Sequence, residues 1–310
     1  MIHPMLLGST GDERADDTIR MLVADYERIF PGRICGYYVL GSYADGTAVP
    51  LSDLDMAIVF HGELTPEEST IAQRVAEDSN CRSPIRLNIN IAARNELSVN
   101  TSTLLKLGSL LVYGDDIRAE LRLPPLDAYR RWVTGGPYRF SGQVLRGVDL
   151  LPYPLDYPDP DGEFYGYDRK RIAEWYPADV ERGTKELVTA MARIATAILA
   201  VRAGAYVARK EEAIRLYAEI VGGGWTGYLQ ALYEKCKLQW HYRIPEGRLD
   251  REELRLLCRQ TLDFENHYFA LHRDYLLGLL GSSEPGDREF AAEQLRRVVY
   301  ADDSIIASIP

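Results

Sequence analysis

Long apolar runs are missing from this chain, and their absence argues against a membrane-spanning protein. No apolar stretch approaches the ~20 residues that a helix needs to cross a bilayer. The N-terminal stretch MIHPMLLGSTGDERADD has no basic region and turns acidic at once, so it does not resemble a secretory signal. We therefore expect a cytoplasmic protein that does not associate with membranes.

Cysteine and histidine are scarce, and their spacing is not that of metal ligands. The four cysteines, Cys35, Cys81, Cys236 and Cys258, include no C-x-x-C pair, and the five histidines show no ligand spacing. Reduced thiols without disulfides fit a cytoplasmic setting. The sequence thus predicts buried thiols and no zinc site.

Basic residues are outnumbered by acidic ones, which bears on the class of partner. Lysine and arginine total 36 against 46 aspartates and glutamates, a formal net charge of −10. This balance argues against broad binding to nucleic-acid phosphates. An acidic cleft would speed the approach of a cationic small molecule, although excess acid also serves solubility. We expect a small, cationic partner and no nucleic acid, and composition says nothing of the oligomeric state.

The most informative stretch that is present is Val39–Phe60, VLGSYADGTAVPLSDLDMAIVF. An apolar run ends at Gly41 and Ser42, and a second begins just after Asp53 and Asp55. Residues i and i+2 of a strand face the same side, so the two carboxylates converge. Such a pair repels unless a cation lies between them, and Mg²⁺ prefers carboxylates together with phosphate oxygens. The Gly-Ser turn lets backbone N–H groups approach phosphates.

This pattern resembles the signature of the nucleotidyltransferase superfamily with the DNA polymerase β-like fold, which is Gly-Ser, a loop, and Asp-x-Asp on a strand. The resemblance implies an α+β fold: an N-terminal nucleotidyltransferase domain with a small mixed sheet flanked by helices, followed by a C-terminal helical bundle. It also implies that Asp53 and Asp55 are catalytic and bind Mg²⁺, and that Gly41, Ser42 and Ser52 contact ATP.

The chain departs from the family where a third carboxylate is expected on the next strand. That strand reads PIRLNINIA, and its candidate positions, Arg86, Asn88 and Asn90, carry no acid. Asn88 has a carbonyl for a metal but cannot accept a proton. Another acid would then act as the base, and we predict it in the helical half, with Glu181 and Glu186 in the catalytic set. The remaining candidates are Asp179, Glu96, Asp115 and Asp116.

Apolar periodicity divides the chain into a domain over 1–120, an aromatic and Pro-rich crossing segment over 121–168, and a helical domain over 169–310. Pro124-Pro125 and Gly135-Gly136-Pro137 are expected to break any regular element in the crossing segment. The predicted strands are 34–40, 54–60, 85–92 and 110–113. The predicted helices are 12–30, 65–78, 101–107, 184–203, 211–221, 228–240, 251–275 and 289–299.

The stretch TKELVTAMARIATAILAVRAGAYVARKEEAIRLYAEI, followed by YLQALYEKCKL, is similar to the helical domain of aminoglycoside adenylyltransferases of the streptomycin/spectinomycin type. The resemblance implies that Arg193, Lys210 and Tyr233 contact ATP. Arginine and lysine suit phosphates, and a tyrosine can stack on a base. The residues alone allow a structural ion pair for Arg193, solvent exposure for Lys210 and a place in the core for Tyr233.

Two functions remain open from the sequence. The first is Mg²⁺-dependent transfer of AMP from ATP to a hydroxyl of a small, cationic, aminoglycoside-like acceptor. The second is a repurposed or catalytically impaired protein of the same fold, which binds nucleotide or another small ligand without ordinary transfer. The missing third carboxylate favours the second, and the retained Asp53 and Asp55 favour the first. A nucleic-acid-modifying transferase is a weaker third possibility because the chain has no basic stripe.

Overall fold

The computed structural model describes residues 4–169 and 182–300. They form an α+β protein with a small mixed four-stranded sheet and a helical C-terminal part, as predicted. The chain divides into two compact units, Met1–Pro125 with Val207–Arg209 and Leu126–Tyr206 with Lys210–Pro310, of which the described residues are considered below. Among these residues, no helix is long and apolar enough to cross a membrane.

The first unit, here the sheet unit, contains the elements predicted from its apolar patterns, with ends that differ by a few residues. Both long helices begin at side-chain caps: the Asp12 carboxylate accepts from two backbone N–H groups, and Thr65 forms a capping box with Glu68. The elements are α1 (Glu13–Ile29), β1 (Ile34–Leu40), α2 (Gly41–Ala44), β2 (Leu54–Phe60), α3 (Pro66–Arg82), β3 (Leu87–Ala93), α4 (Val99–Gly108) and β4 (Leu110–Gly114).

The sheet has the strand order β3-β2-β1-β4. β1 is antiparallel to both β2 and β4, whereas β2 and β3 are parallel. In this register Asp55 pairs with Leu40 on one side and with Asn88 on the other. The end of β1 and the starts of β2 and β3 therefore meet at one end of the sheet.

The central strand β1 is buried along its whole length because apolar side chains cover both faces of the sheet. One face packs with α1 and α3 through residues such as Ile19, Tyr26 and Ile58. The other face packs Cys35 and Tyr38 with neighbours that include Leu105 of α4. Burial on both faces explains why β1 reads as a continuous apolar run.

The second unit, here the helical unit, begins with a helix that the sequence analysis did not predict. The prediction of an irregular segment is wrong over α5 (Leu126–Arg139), which continues as a π-helical turn over Phe140–Val144. Pro137 lies inside α5 and is buried together with Tyr129 and Val133. These three residues recur every four positions and form one apolar stripe, so tertiary burial outweighs the local breakers.

The end of the helical unit also differs from the prediction. The helix expected over 289–299 lies at Pro285–Leu295, and Val298–Tyr300 is a strand parallel to Leu151–Tyr153. Strands of three residues are too short to show a period in sequence. The elements after α5 are β5 (Leu151–Tyr153), α6 (Lys185–Ala203), α7 (Lys210–Leu216, then a π-helical turn to Val221), α8 (Thr226–Leu232, then a π-helix to Gln239), α9 (Arg248–Leu280), α10 (Pro285–Leu295) and β6 (Val298–Tyr300).

A buried ion pair joins α9 to the segment that the sequence predicted as a crossing between two domains. Arg146 donates to both carboxylate oxygens of Glu265 at 3.0 and 2.8 Å, and the Tyr167 hydroxyl donates to the same carboxylate at 2.6 Å. Glu265 is fully buried, so loss of Arg146 would leave an uncompensated charge in the interior. This part of the segment is therefore an integral part of the helical unit.

Candidate active site

The Gly-Ser turn lies directly against one of the two predicted metal ligands. β1 ends at Leu40, and Gly41 follows with a φ of +62°. A Cβ atom placed on Gly41 would lie 2.8 Å from Oδ2 of Asp55. Only glycine therefore combines this left-handed backbone with so close an approach to the carboxylate. The turn and the Asp-x-Asp motif form one local arrangement.

Asp53 and Asp55 frame the start of β2. Asp55 is the second residue of the strand and Asp53 immediately precedes the strand, and both are partly buried. Burial raises the pKa of the Tyr43 hydroxyl in α2, and the negative charges of Asp12 and Asp53 raise it further. Side chains two residues apart in an extended segment face the same side, so the spacing of Asp53 and Asp55 favours convergence of their carboxylates.

The strand that lacks an acid supplies an amide to this arrangement. Asn88 Nδ2 donates to Asp55 Oδ1 at 2.7 Å. Asn90 donates instead to the Thr101 hydroxyl at 2.6 Å, one step farther along β3. Arg86 is exposed, and its backbone carbonyl accepts from Leu54 N–H at 2.9 Å. The side chain of Asn88 thus bonds directly to an aspartate of the motif.

The loop between Gly41 and Asp53 is ordered by its own hydrogen bonds. Thr47 N–H donates to the Ser42 carbonyl at 2.9 Å, and the Asp45 carboxylate accepts from both the backbone and the hydroxyl of Thr47. Ser52 is buried, and its hydroxyl oxygen accepts from Val49 N–H at 2.9 Å. Ser52, expected to contact ATP, holds the loop that leads into Asp53.

The donor set at this end of the sheet fits a hard divalent cation. Asp55 Oδ1 accepts a hydrogen bond from Asn88, and Oδ2 faces the Gly41 backbone. Asp53, the residue before β2, is the second carboxylate of the motif. One or two carboxylates with room for phosphate oxygens is the environment that Mg²⁺ prefers.

Three acids considered as alternative bases lie at the opposite end of the sheet. Glu96 follows β3, which is parallel to β2, and Asp115 and Asp116 follow β4, which is antiparallel to β1. Asp55 is at the start of β2, and a seven-residue strand spans about 20 Å. In addition, hydrogen bonds from Arg118 lower the pKa of Asp116 to about 2, so it is a poor proton acceptor.

In the helical unit, three predicted residues lie on or against α6. Glu186 lies in the first turn of α6, and Arg193 follows two turns later on the same face. Thr189 lies between them, and Lys210 Nζ donates to its hydroxyl at 2.8 Å. The Arg193 guanidinium also lies 4.8 Å from the centre of the Phe140 ring. Glu181 and Asp179 lie outside the described residues.

Tyr233 lies beside a buried lysine that the sequence analysis missed. Lys237 is 2% exposed, and its Nζ donates to the Tyr233 hydroxyl at 3.1 Å. Tyr233 also lines a cavity of about 350 Å³ together with Glu211, Arg215 and Glu219. The only signal in sequence was the spacing of four residues between Tyr233 and Lys237, which is common in any helix.

Comparisons with known proteins give structural likeness at low sequence identity. No protein-family profile matches the chain, and no curated protein matches it. Spectinomycin adenyltransferase AAD(9) from Enterococcus faecialis, solved with ATP and spectinomycin, has a TM-score of 0.48 and 14% identity; the match covers 80% of this chain and 98% of that one. A toxin–antitoxin structure with AMP-PNP has a TM-score of 0.25 and 18% identity, over 40% of this chain and 92% of that one. An MntA–HpeT toxin–antitoxin structure has a TM-score of 0.26 and 14% identity, over 38% and 89%.

Proposed function

We propose that this protein transfers AMP from ATP to a hydroxyl group of a small, cationic, aminoglycoside-like acceptor, with Mg²⁺ held by Asp53 and Asp55. The observation that carries the proposal is the close approach of Gly41 to Asp55, 2.8 Å from a Cβ position to Oδ2. A carboxylate pair beside a glycine turn places metal ligands and phosphate-binding N–H groups together.

The reaction requires mainly that the acceptor and ATP be positioned and that the phosphate charge be neutralised. The acceptor oxygen attacks the α-phosphorus, its bond to the α-phosphate forms, and the bond to pyrophosphate breaks. Mg²⁺, when bound, neutralises the phosphate charge that develops in this step. The Gly41–Ser42 turn would bind phosphate oxygens through backbone N–H groups. Arg193 and Lys210 of the helical unit are the cations that we assign to phosphates, and Tyr233 is the aromatic residue that we assign to the nucleoside.

The acceptor hydroxyl must lose a proton, and the amide of Asn88 cannot take it. We assign this role to Glu186, a partly buried carboxylate on the face of α6 that also bears Arg193. Glu181 is the second candidate from sequence. Both are carboxylates, and a positioned carboxylate is an ordinary general base.

A cationic acceptor is supported by the charge of the chain and by one local feature. The formal net charge is −10, and the cavity beside Tyr233 is lined by Glu211, Glu219 and Arg215. Arg215 pairs with Glu219 at 2.9 Å, so Glu211 supplies an excess negative charge at the cavity. Ammonium groups are attracted by such a lining.

The alternative is a catalytically impaired protein that binds nucleotide without transfer. The hydrogen bond from Asn88 to Asp55 favours it, because on the strand where the resemblance implies a third carboxylate an amide bonds to Asp55. An amide that already donates to Asp55 helps to hold that carboxylate in place but adds no negative charge for a second metal ion.

The experiment is pyrophosphate release from ATP with Mg²⁺ and a panel of aminoglycosides, with ATP binding measured by calorimetry in parallel. Acceptor-dependent release is the expected result. ATP binding without release for any acceptor would support the impaired alternative. The Asp53→Ala, Asp55→Ala double variant must abolish release; release that survives it would overturn the assignment of the metal ligands.

A further inference from the structure

A second cluster of metal-ligating side chains lies at the other end of the same sheet. The Sγ of Cys35, a ring nitrogen of His61 and a carboxylate oxygen of Asp115 all lie within 4.8 Å of one another. Cys35 is buried, whereas His61 and Asp115 are exposed, so the cluster has a buried side and a solvent-facing side. The three residues are separated in sequence, and no ligand spacing connects them.

Strand topology explains why they meet. Cys35 is the second residue of β1, His61 directly follows β2, and Asp115 directly follows β4. Both neighbours are antiparallel to β1, so they end where β1 begins. Backbone bonds complete the junction: Asp115 N–H donates to the Cys35 carbonyl at 2.7 Å, and His61 N–H donates to the Arg33 carbonyl at 3.0 Å.

Two glycines allow the ends of β1 and β4 to approach closely. A Cβ atom on Gly114, whose φ is +86°, would lie 2.4 Å from the Cys35 carbonyl oxygen. A Cβ atom on Gly36 would lie 2.7 Å from the carbonyl oxygen of Asp115. The Tyr38 hydroxyl donates to that same carbonyl at 2.6 Å. These contacts therefore fix the backbone that carries Cys35 and Asp115, whichever rotamers the exposed His61 and Asp115 side chains adopt.

We propose that Cys35, His61 and Asp115 form a zinc site that clamps the ends of β1, β2 and β4. A thiolate, an imidazole and a carboxylate are the three side-chain ligand types that Zn²⁺ takes, and a water molecule would complete a tetrahedron. The thiolate disfavours Mg²⁺ and Ca²⁺, which take oxygen ligands. Thiolate and carboxylate together balance the charge of the ion.

The geometry requires only small movements. Ligand atoms around a tetrahedral zinc lie about 3.5 Å apart, since Zn–S is about 2.3 Å and Zn–N about 2.0 Å. The separations of up to 4.8 Å close by rotation of the exposed His61 and Asp115 side chains. Arg94 lies beside the Cys35 thiol, and its guanidinium pairs with Glu120, so the acid offsets its positive charge.

The test is metal binding by the full-length protein, purified without metal and titrated with Zn²⁺ and, separately, Co²⁺. We expect one zinc ion per chain that depends on Cys35, and a thiolate-to-cobalt charge-transfer absorption that shows a sulfur ligand. Cys35→Ser and His61→Ala should weaken zinc binding by more than the ~10–100-fold that loss of a residue orienting a ligand costs.

Matched controls separate this site from other metal binding. Cys81→Ser removes an exposed cysteine, and Asp55→Asn alters the other end of the sheet; both should bind zinc as the unmodified protein does. Circular dichroism of each variant shows that it is folded. Zinc binding that survives Cys35→Ser in a folded protein, or cobalt binding without a charge-transfer band, would overturn the proposal.

Discussion

The two ends of the four-stranded sheet carry different sets of side-chain donors. At the end where β2 begins, Asp53 and Asp55 offer oxygen donors beside a glycine turn. At the end where β1 begins, Cys35 and His61 offer sulfur and nitrogen beside a single carboxylate. Hard oxygen donors suit Mg²⁺, and a thiolate with an imidazole suits Zn²⁺. One sheet can thus hold two different donor sets at its two ends, about 20 Å apart.

The strongest loss of activity should follow from a change at the Asp53–Asp55 end of the sheet alone. Replacing Asp53 and Asp55 by Asn keeps the size of both side chains but removes both negative charges. We expect nucleotidyl transfer to fall by about 10³-fold, because metal-based charge stabilisation contributes several kcal/mol to the barrier. Pyrophosphate release measures the loss. Zinc affinity should not change, and a parallel loss of both would show that the two ends are not independent.

His272 is a histidine outside the proposed zinc site, and we expect it to affect how the stability of the protein depends on pH. It is buried in α9 against Tyr268, and neither ring nitrogen has a hydrogen-bonding partner among the described residues. Burial lowers its pKa from 6.5 to about 4. The folded state thus favours the neutral ring, so its contribution is fully present above pH 6.5 and is lost as the pH falls toward 4.

Between pH 6.5 and 4 we expect the free energy of unfolding to fall by on the order of 3 kcal/mol because of His272. Urea unfolding at a series of pH values, compared with His272→Phe, measures it. The variant should show a flatter pH dependence between pH 6.5 and 4, and an unchanged slope would contradict the assignment. Because His272 is not one of the three proposed zinc ligands, its replacement should leave the zinc affinity unchanged.

A pair of glycine variants isolates the contact between the turn and Asp55. Gly41 and Gly46 have φ values of +62° and +72°, so alanine is strained by about 1 kcal/mol at both. A Cβ atom meets Asp55 only at Gly41; at Gly46 nothing lies within 4 Å. We expect Gly41→Ala to lower transfer by about 10²-fold, because small displacements of catalytic groups have effects of this size.

Gly46→Ala should lose only the stability that the backbone strain accounts for, visible as a lower melting temperature with kcat nearly unchanged. Equal losses of activity in the two variants would show that the approach of Gly41 to Asp55 has no special role.

A weaker change is expected when an acid is added to β3, the strand where the family resemblance implies a third carboxylate. Asn88→Asp adds an acid next to Asp55, with Asn90→Asp as the control because Asn90 bonds to Thr101 instead. We expect Mg²⁺ affinity to rise about 10-fold, since one more carboxylate favours a cation. Without metal, two close carboxylates should lower the free energy of unfolding by up to ~1 kcal/mol. Calorimetry measures the Mg²⁺ affinity, and urea unfolding measures the free energy of unfolding. Equal effects at positions 88 and 90 would contradict the assignment.

Most of the features that could be predicted from the sequence depend on patterns of residues close together in the chain. The strands around the motif, the capped helices α1 and α3 and the α+β class all follow from local periodicity and caps. The resemblance in Gly41–Asp55 placed the candidate site in one segment. These features depend on near neighbours in the chain, which sequence patterns record well.

Features built from distant residues escaped the sequence analysis for a physical reason. α5 forms through burial of Tyr129, Val133 and Pro137, although Gly and Pro predict a break. The side chains of Cys35, His61 and Asp115 converge only because antiparallel strands bring their ends together, which no spacing reveals. Burial and topology are properties of the folded chain, so single-sequence patterns do not contain them.

We propose that Asp53 and Asp55 support transfer of AMP. The most direct measurement follows label from the α-phosphate of ATP to an aminoglycoside acceptor, with Mg²⁺ or with chelator. We expect a labelled acceptor only with Mg²⁺ and only in protein that retains both aspartates. Labelled acceptor formed equally by the Asp53→Asn, Asp55→Asn variant, or none formed by unmodified protein that binds ATP and acceptor, would contradict it.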